Sequence, residues 1–232
     1  MGLTISRTGA LAAAGGLLLA APAAALQVSV DDGSVSFVVT DDGAGDQAGG
    51  GGRIVYDSDL GPGVPAFGAL GVQADGCTAA CDTLGVSVEA DTGGAAGAIV
   101  IEVTETGYDA LAAPALLAVH SVGGFLDGDV TMEAFYDAGN APFAKTTSIG
   151  GPYAFGAGEP FDSFAEDLSR RGPAFAGPYS LTSRIEVVHE AGDVQSNLTS
   201  AATVSAVPLP AAAWLLAAGA AGLGATTLRR RG

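Results

Sequence analysis

The sequence predicts an all-β protein built around one antiparallel β-sandwich, either jelly-roll-like or immunoglobulin-like. Apolar and polar residues alternate over segments of strand length that are separated by Gly, Asp and Pro. Helical periodicity is nearly absent from the middle of the chain. All 25 acidic residues lie between Asp31 and Asp193, whereas long uncharged apolar runs lie near both ends. This segregation predicts three segments, residues 1–25, 26–206 and 207–232.

The first segment, residues 1–25, is predicted to be a secretory signal peptide. Arg7 gives a short basic region, and residues 10–21 are an uncharged apolar stretch too short to cross a membrane stably. Ala23–Ala25 supply the small residues that signal peptidase accepts. The mature chain is therefore expected to begin near Leu26. A buried N-terminal helix of the domain is the alternative.

The middle segment, residues 26–206, is predicted to form the sandwich from about nine short strands. No internal repeat of fixed period is present, and about 180 residues are enough for one sandwich without an internal boundary. Segments with the composition or alternation of strands lie at residues 26–30, 35–40, 84–88, 98–103, 116–122, 130–135, 181–188 and 194–204.

The middle segment also contains two predicted hairpin turns, a glycine-rich loop and one predicted short helix. Hairpin turns are predicted at Asp31–Gly33 and at Asp127–Asp129, because Asp and Gly tolerate positive φ angles. The glycine-rich residues 43–52 predict a mobile loop. Ser163 and Glu166 have the spacing of a capping box, which predicts a short helix at 162–169, with a loop as the alternative.

The last segment, residues 207–232, predicts a single transmembrane helix. The uncharged apolar run from Ala211 to Leu228 has 18 residues, which as a helix would extend about 27 Å. Trp214 near its outer end favours the membrane interface, and a terminal arginine cluster would remain cytoplasmic. The cluster consists of Arg229, Arg230 and Arg231. An ordinary tail anchor after a proline-containing linker is the alternative.

The same segment carries a family resemblance. A V-P-L-P-A motif, an apolar helix and a terminal arginine cluster, in this order, resemble the PEP-CTERM sorting signals in their VPLPA variant. The motif consists of Val207, Pro208, Leu209, Pro210 and Ala211. The resemblance implies a Gram-negative source and recognition by an exosortase, a membrane-embedded, transpeptidase-like cysteine protease. Leu209 stands where the commonest form has Glu, which leaves the exosortase subtype open.

Membership of this class would also imply a route and a setting. The chain would be anchored transiently in the inner membrane, cut near the motif and delivered to the cell surface or extracellular matrix. The class is further associated with exopolysaccharide and biofilm.

The middle segment is similar to uncharacterised exported β-domains of the same class. The similarity rests on four motifs of low specificity, which imply an exported all-β module without assigning a reaction. They are D-x-G-x-x-D at 41–46, E-T-G-Y at 105–108, F-Y-D-A-G-N at 135–140 and G-P-Y-S-L at 177–181.

Charge and composition exclude several classes. Residues 26–206 contain five basic and 25 acidic residues. The net charge of the domain is therefore −20, which is more negative than the −16 of the whole chain. Such a domain would be repelled by the phosphate backbone, which disfavours nucleic-acid binding. With 48% hydrophobic residues, the chain is also too apolar for a disordered acidic tail.

The two cysteines are predicted to form a local disulfide. Three residues separate Cys77 from Cys81, and exported chains meet an oxidising compartment. A zinc site needs about four ligands, and neither histidine is near the cysteines in sequence. A catalytic thiol is disfavoured because Asp75 and Asp82 would raise its pKa.

No catalytic residues are assigned, and the chain is predicted not to be an enzyme. The sequence has no G-x-S-x-G motif. His120 lies in an apolar run and His189 ends a predicted strand, so both are interpreted as structural. Trp214, the only tryptophan, lies in the tail, which leaves few aromatic residues to line a sugar subsite of a glycosidase.

Calcium is the one ligand for which the sequence offers candidates. Asp41, Asp42 and Asp46 lie close together in one acidic loop, and hard cations bind several oxygen ligands. Asp57 with Asp59, and Asp127 with Asp129, provide further carboxylate pairs. Because no twelve-residue EF-hand loop is present, solvated turn residues are the preferred interpretation and no metal site is assigned.

Together these observations predict a non-enzymatic exported protein of the cell surface or extracellular matrix, trimmed by signal peptidase and an exosortase. A calcium-dependent carbohydrate-binding module is the alternative function. A secreted hydrolase is a third hypothesis.

Overall fold

A computed structural model describes residues 25–59, 63–65, 67–76, 83–109, 116–156, 162–172, 177–193 and 195–206, with the backbone alone for 162–172. Several predicted features lie outside these residues. They are the signal peptide before Ala25, the pair Cys77 and Cys81, the 207–211 motif, the transmembrane helix and the arginine cluster. Within the described residues, no helix has the length and apolar character needed to cross a membrane.

Twelve β-strands make up the regular structure of the described residues. Eight of them overlap the predicted segments, which are rich in β-branched residues or alternate between apolar and polar residues. The strands are β1 Ala25–Asp31, β2 Ser36–Thr40, β3 Arg53–Asp57, β4 Ala69–Asp75, β5 Thr83–Asp91, β6 Gly97–Tyr108, β7 Leu116–Leu126, β8 Asp129–Asp137, β9 Thr147–Phe155, β10 Asp162–Gly172, β11 Tyr179–His189 and β12 Gln195–Ala206.

The strands form two six-stranded sheets, here called sheets A and B. Sheet A has the order β2-β1-β6-β11-β8-β9, and sheet B has the order β10-β7-β12-β5-β4-β3. All neighbouring strands are antiparallel. The prediction of an all-β antiparallel protein is confirmed.

The core lies between the inner faces of the two sheets. Strand β1 illustrates the pattern, because Leu26, Val28 and Val30 are buried while their neighbours are partly exposed. Across the interface, the ring of Phe37 on β2 packs 5.2 Å from the ring of Tyr56 on β3, measured between centroids. Apolar burial from both inner faces therefore holds the sandwich together.

The connections between strands cross repeatedly from one sheet to the other. From β5 to β8, and again from β9 to β12, each connection crosses from one sheet to the other. As a result β11 lies between β6 and β8, and β12 lies between β5 and β7. Alternating strands of this kind are typical of wrapped double-sheet folds. Long-range pairings, rather than sequential hairpins, therefore occupy the centres of both sheets.

Of the two predicted hairpin turns, one joins paired strands and the other does not. The Asp31–Gly33 turn joins β1 to β2 as predicted, with Gly33 at φ 81° and its N–H bonded to Asp31 Oδ1 at 2.8 Å. Gly128 also has a positive φ of 116°, but this turn joins β7 of sheet B to β8 of sheet A. The second turn therefore links the two sheets, and its prediction as a hairpin was wrong.

The predicted helix at 162–169 was also wrong. Residues Asp162–Gly172 form strand β10, which pairs with β7 over its whole length at the edge of sheet B. The capping-box spacing is a local signal, and pairing with a long neighbouring strand overrides it. The sequence interpretation also missed β3, β4 and β9 as strands.

Candidate functional site

The loop between β2 and β3, residues 41–52, brings the three predicted calcium ligands together. Asp41, Asp42 and Asp46 each offer a carboxylate oxygen, and these oxygens lie within 4.8 Å of one another. Asp42 adopts a positive φ of 56° at the turn. We call these three residues the acidic triad.

Backbone N–H groups already occupy part of the acidic triad. Asp46 Oδ1 accepts hydrogen bonds from Ala48 N at 2.9 Å and Val55 N at 3.1 Å, and its Oδ2 accepts one from Asp42 N at 3.0 Å. Asp41 Oδ2 accepts a hydrogen bond from Gly52 N at 2.6 Å. The glycine-rich loop predicted to be mobile is thus attached to its surroundings by two aspartates.

One oxygen of the acidic triad differs from the others. Asp41 Oδ1 is buried and has no hydrogen-bond partner within the described residues. Asp42 contributes its N–H to the loop, while its carboxylate accepts no hydrogen bond in the described structure. The triad therefore combines structural carboxylate oxygens with others that remain available to a hard cation.

The other predicted carboxylate pairs do not assemble in this way. Among the described residues, the acidic triad is the one group of three Asp, Glu, His or Cys side chains close enough to share an ion. Asp57 lies on the outer face of sheet B beside the exposed Asp59, whereas Asp127 is buried at the turn between β7 and β8.

His120 lies sealed between the two sheets. It is 0% exposed, and its Nε2 is 3.0 Å from Ser200 Oγ of β12. Ser200 Oγ is in turn 2.8 Å from Ser183 Oγ of β11, which connects sheet B to sheet A. Burial lowers the pKa of His120 to about 4, with the backbone of Gly150 opposing the shift. The imidazole is therefore neutral at pH 7 and does not reach solvent.

His189 lies in a second polar cluster at the end of the sandwich. Its Nε2 is 2.9 Å from Ser196 Oγ, and its Nδ1 is 3.4 Å from Thr92 Oγ1. Burial lowers its pKa, while the charges of Asp193, Asp127 and Asp91 oppose the shift. Each histidine thus has a serine partner inside the fold.

The serine partners were missed by the sequence interpretation. Ser196 and Ser200 occupy inward positions of β12, in phase with the buried apolar residues Leu198, Ala202 and Val204. Polar residues at inward positions, on a chain with two histidines in predicted strands, are the signal that would have identified them.

Three of the four low-specificity motifs meet at one corner of sheet A. Asn140, at φ 56°, accepts a hydrogen bond from Gly107 N through Oδ1 at 2.7 Å. The rings of Tyr108 and Tyr179 stack with centroids 5.2 Å apart. These contacts join β6, β11 and the connection after β8, so the motif residues have structural roles at this corner.

Asp137 strengthens the same corner. Burial alone would raise its pKa, but hydrogen bonds lower it below its usual value. The donors are Ala141 N at 3.0 Å, Thr146 Oγ1 at 2.8 Å and the backbone of Gly139. Asp137 is therefore a buried charged carboxylate that fixes the turn after β8.

Comparisons with known proteins add little to this description. No protein-family model matches the sequence, and no curated protein matches it. The adhesin domain of Epf from Streptococcus pyogenes is similar in structure with 8% identity and a TM-score of 0.33, covering 80% of this chain and 60% of that chain. The carbohydrate-binding module TmCBM27, described for specific mannan recognition, has 10% identity and a TM-score of 0.24, covering 53% of this chain and 75% of that chain. Similarities this weak establish neither the fold nor the function of the chain.

Proposed function

We propose that this chain is a non-enzymatic exported module, displayed at the cell surface or in the extracellular matrix after trimming at both ends. Signal peptidase would cut near Leu26, and an exosortase would cut near the 207–211 motif and separate the domain from its membrane helix. Exopolysaccharide of the matrix is the expected surroundings of the mature domain.

The state of the two histidines is the observation that supports a non-enzymatic role. His120 and His189 are both buried and hydrogen-bonded to serines, with pKa values lowered by burial. A general base must reach the proton that it removes from a substrate, so an imidazole sealed between two sheets serves packing rather than catalysis. The acidic carboxylates of the loops likewise bind backbone N–H groups.

Mass spectrometry of the surface and secreted fractions tests the processing. We expect a mature chain that starts near Leu26 and ends near Pro208, with a mass lacking both apolar ends. Recovery of mature protein with the tail intact through Arg231 would refute exosortase processing and indicate an ordinary membrane anchor.

The acidic triad favours a second candidate function, a calcium-dependent carbohydrate-binding module. One carboxylate oxygen from each of three aspartates lies within 4.8 Å of the other two, and Asp41 contributes a buried oxygen that has no partner in the part of the chain that the structure describes. Calcium takes six to eight oxygen ligands at 2.3–2.6 Å, so backbone carbonyls and water would complete its shell.

A calcium titration followed by thermal melting tests this second candidate. Calcium at about 100 times its dissociation constant would stabilise the fold by roughly 2.7 kcal/mol through mass action. Asp42→Asn should abolish the shift, because it removes a ligand whose carboxylate supports no hydrogen bond of the loop. Asp59→Asn, a nearby exposed aspartate outside the triad, is the matched control. A melting temperature that does not respond to calcium would exclude this function.

A further inference from the structure

A continuous row of paired residues runs across five of the six strands of sheet B, on the outer face of the sheet. The strand register places Phe125 of β7 opposite Asn197 of β12, and Asn197 opposite Glu89 of β5. Glu89 lies opposite Gly71 of β4, and Gly71 lies opposite Asp57 of β3. With neighbouring strands about 4.8 Å apart, this row extends roughly 19 Å. We call it the sheet-B row.

A shallow groove lies along the acidic half of the sheet-B row. Its volume is about 220 Å³, and its lining includes Asp57, Gly71, Glu89 and Asn197 together with Ser87 of the adjacent row. Gly71 leaves a notch between the two carboxylates. A Cβ atom at this position would meet nothing closer than Glu89 Cβ at 3.8 Å, an ordinary contact. The notch is therefore open space that the fold itself does not require.

Two side chains of the groove, Glu89 and Asn197, can form hydrogen bonds with a ligand. Glu89 Oε1 accepts a hydrogen bond from Gln195 Nε2 at 2.6 Å, which fixes the carboxylate. Asn197 is exposed, and its amide makes no hydrogen bond within the described residues, so it is available to a ligand as both donor and acceptor. A fixed carboxylate beside a free amide suits a partner that presents several neighbouring hydroxyl groups.

Phe125, on the second strand from the β10 edge, adds an apolar surface to the row. It is 56% exposed, and Val38 of β2, at 52%, is the one other exposed large hydrophobic residue among those whose side chains the structure describes. An exposed aromatic ring next to hydrogen-bonding groups matches a molecule with an apolar ring face and a polar rim. A sugar ring has both.

The charge of the surface narrows the choice of partner. None of the groove residues is basic, and Arg53 at the edge of the sheet is paired with Asp75 at 3.4 Å. A domain that carries −20 would repel a polyanionic chain. A neutral glycan avoids this repulsion, and its hydroxyl groups can hydrogen-bond to the Asn197 amide as well as to the carboxylates.

We propose that the sheet-B row is a binding surface for a neutral polysaccharide, with one sugar ring stacked on Phe125 and others hydrogen-bonded along Asn197, Glu89 and Asp57. The inference rests on the proposed display outside the cell, because that is where the domain would meet such a chain. It deepens that proposal by assigning the contact surface.

Affinity electrophoresis of the full-length protein in gels containing mannan, soluble starch or hydroxyethyl cellulose tests the proposal. We expect retardation by at least one of these neutral polysaccharides. Phe125→Ala should weaken binding at least tenfold by removing the stacking surface, and Gly71→Leu should do the same by filling the notch. Val38→Ala is the matched control, because Val38 is 52% exposed on sheet A. Circular dichroism melting of each variant checks that it folds.

The outcomes separate this proposal from its rivals. The absence of retardation by all three polysaccharides would overturn it. Binding that Phe125→Ala and Gly71→Leu leave unchanged would also overturn it, as would binding to polylysine alone. The assay reports on the groove of the purified protein, whereas the masses of the processed chain report on display. Failure of one is therefore distinguishable from failure of the other.

Discussion

At the scale of single residues, the burial of His120 makes the stability of the protein depend on pH. Its imidazole is fully buried and neutral, with a pKa lowered from 6.5 to about 4 by burial. The unfolded chain takes up a proton below about pH 6.5, whereas the folded protein resists it until about pH 4. The stability associated with neutral His120 is thus present above pH 6.5 and is lost as the pH falls towards 4.

We therefore expect the free energy of unfolding to decrease by about 3 kcal/mol between pH 6.5 and 4 on account of His120, at roughly 1.4 kcal/mol per pKa unit. His120→Gln retains a side-chain partner for Ser200. It should reduce the slope of the free energy of unfolding against pH in this range, by an amount that corresponds to about one bound proton. The measurement is urea unfolding at half-unit pH steps. His189 adds a loss of the same sign, so the comparison is between the two slopes. Equal slopes in wild type and variant would contradict the assignment.

At the scale of elements, the acidic loop protects the edge of sheet B. Strand β3 is an edge strand, and its outward N–H and C=O groups at Val55 would otherwise be open to pairing with another chain. Asp46 Oδ1 accepts the Val55 N–H, and Gln47 N donates to the Val55 carbonyl at 2.8 Å. The loop therefore occupies the edge whether or not it binds an ion.

This role predicts the effects of substitutions at Asp46. In the presence of a calcium chelator, Asp46→Ala should destabilise the protein by about 1–3 kcal/mol, because three N–H groups lose their acceptor. Asp46→Asn should recover part of this loss, since its amide oxygen can still accept. Urea unfolding measures the free energies, and hydrogen exchange at the Val55 amide should accelerate in Asp46→Ala. Asp59→Ala, an exposed control, should change neither. Unaltered exchange at Val55 in Asp46→Ala would show that the edge is protected in another way.

The elements that were predictable from sequence are those whose local pattern agrees with their place in the fold. Strands β1, β6 and β11 carry apolar alternation or β-branched runs. Strand β4 was missed because glycine-rich and polar residues flank a short alternation, and β9 because Gly150, Gly151 and Pro152 interrupt it. Strand β10 has a local helix-start signal that only its pairing with β7 overrides.

The same distinction applies to the candidate sites. The acidic triad was predictable because its three residues are close in sequence, and local proximity became spatial proximity. The sheet-B row was not predictable, because its residues come from five strands between Asp57 and Asn197. They meet only through the strand order of sheet B. A surface assembled from such long-range pairings leaves no local pattern in the sequence.

At the scale of the whole molecule, the large net negative charge dominates the electrostatics. Residues 26–206 carry −20, and few cations offset it. On the outer face of sheet A, Arg184 is surrounded by Glu102, Glu133 and Glu186, and Lys145 also pairs with Glu102. Arg184 has three acidic neighbours and can neutralise one charge, and Lys145 shares Glu102 with it. Repulsion between the surplus carboxylates therefore exceeds attraction over the domain as a whole.

Screening should therefore stabilise this protein. Raising monovalent salt from 0.01 M to 0.1 M shortens the Debye length from about 30 Å to about 10 Å, which weakens long-range repulsion more than the short ion pairs of Arg184. At pH 7 and with a calcium chelator present, we expect the melting temperature to rise by roughly 2–4 °C, equivalent to about 1 kcal/mol for a chain of this size. Differential scanning calorimetry measures the shift, and choline chloride in place of sodium chloride controls for sodium binding at the acidic triad. A melting temperature that falls with added salt would mean that the attractive network around Arg184 outweighs the repulsion of the surplus carboxylates.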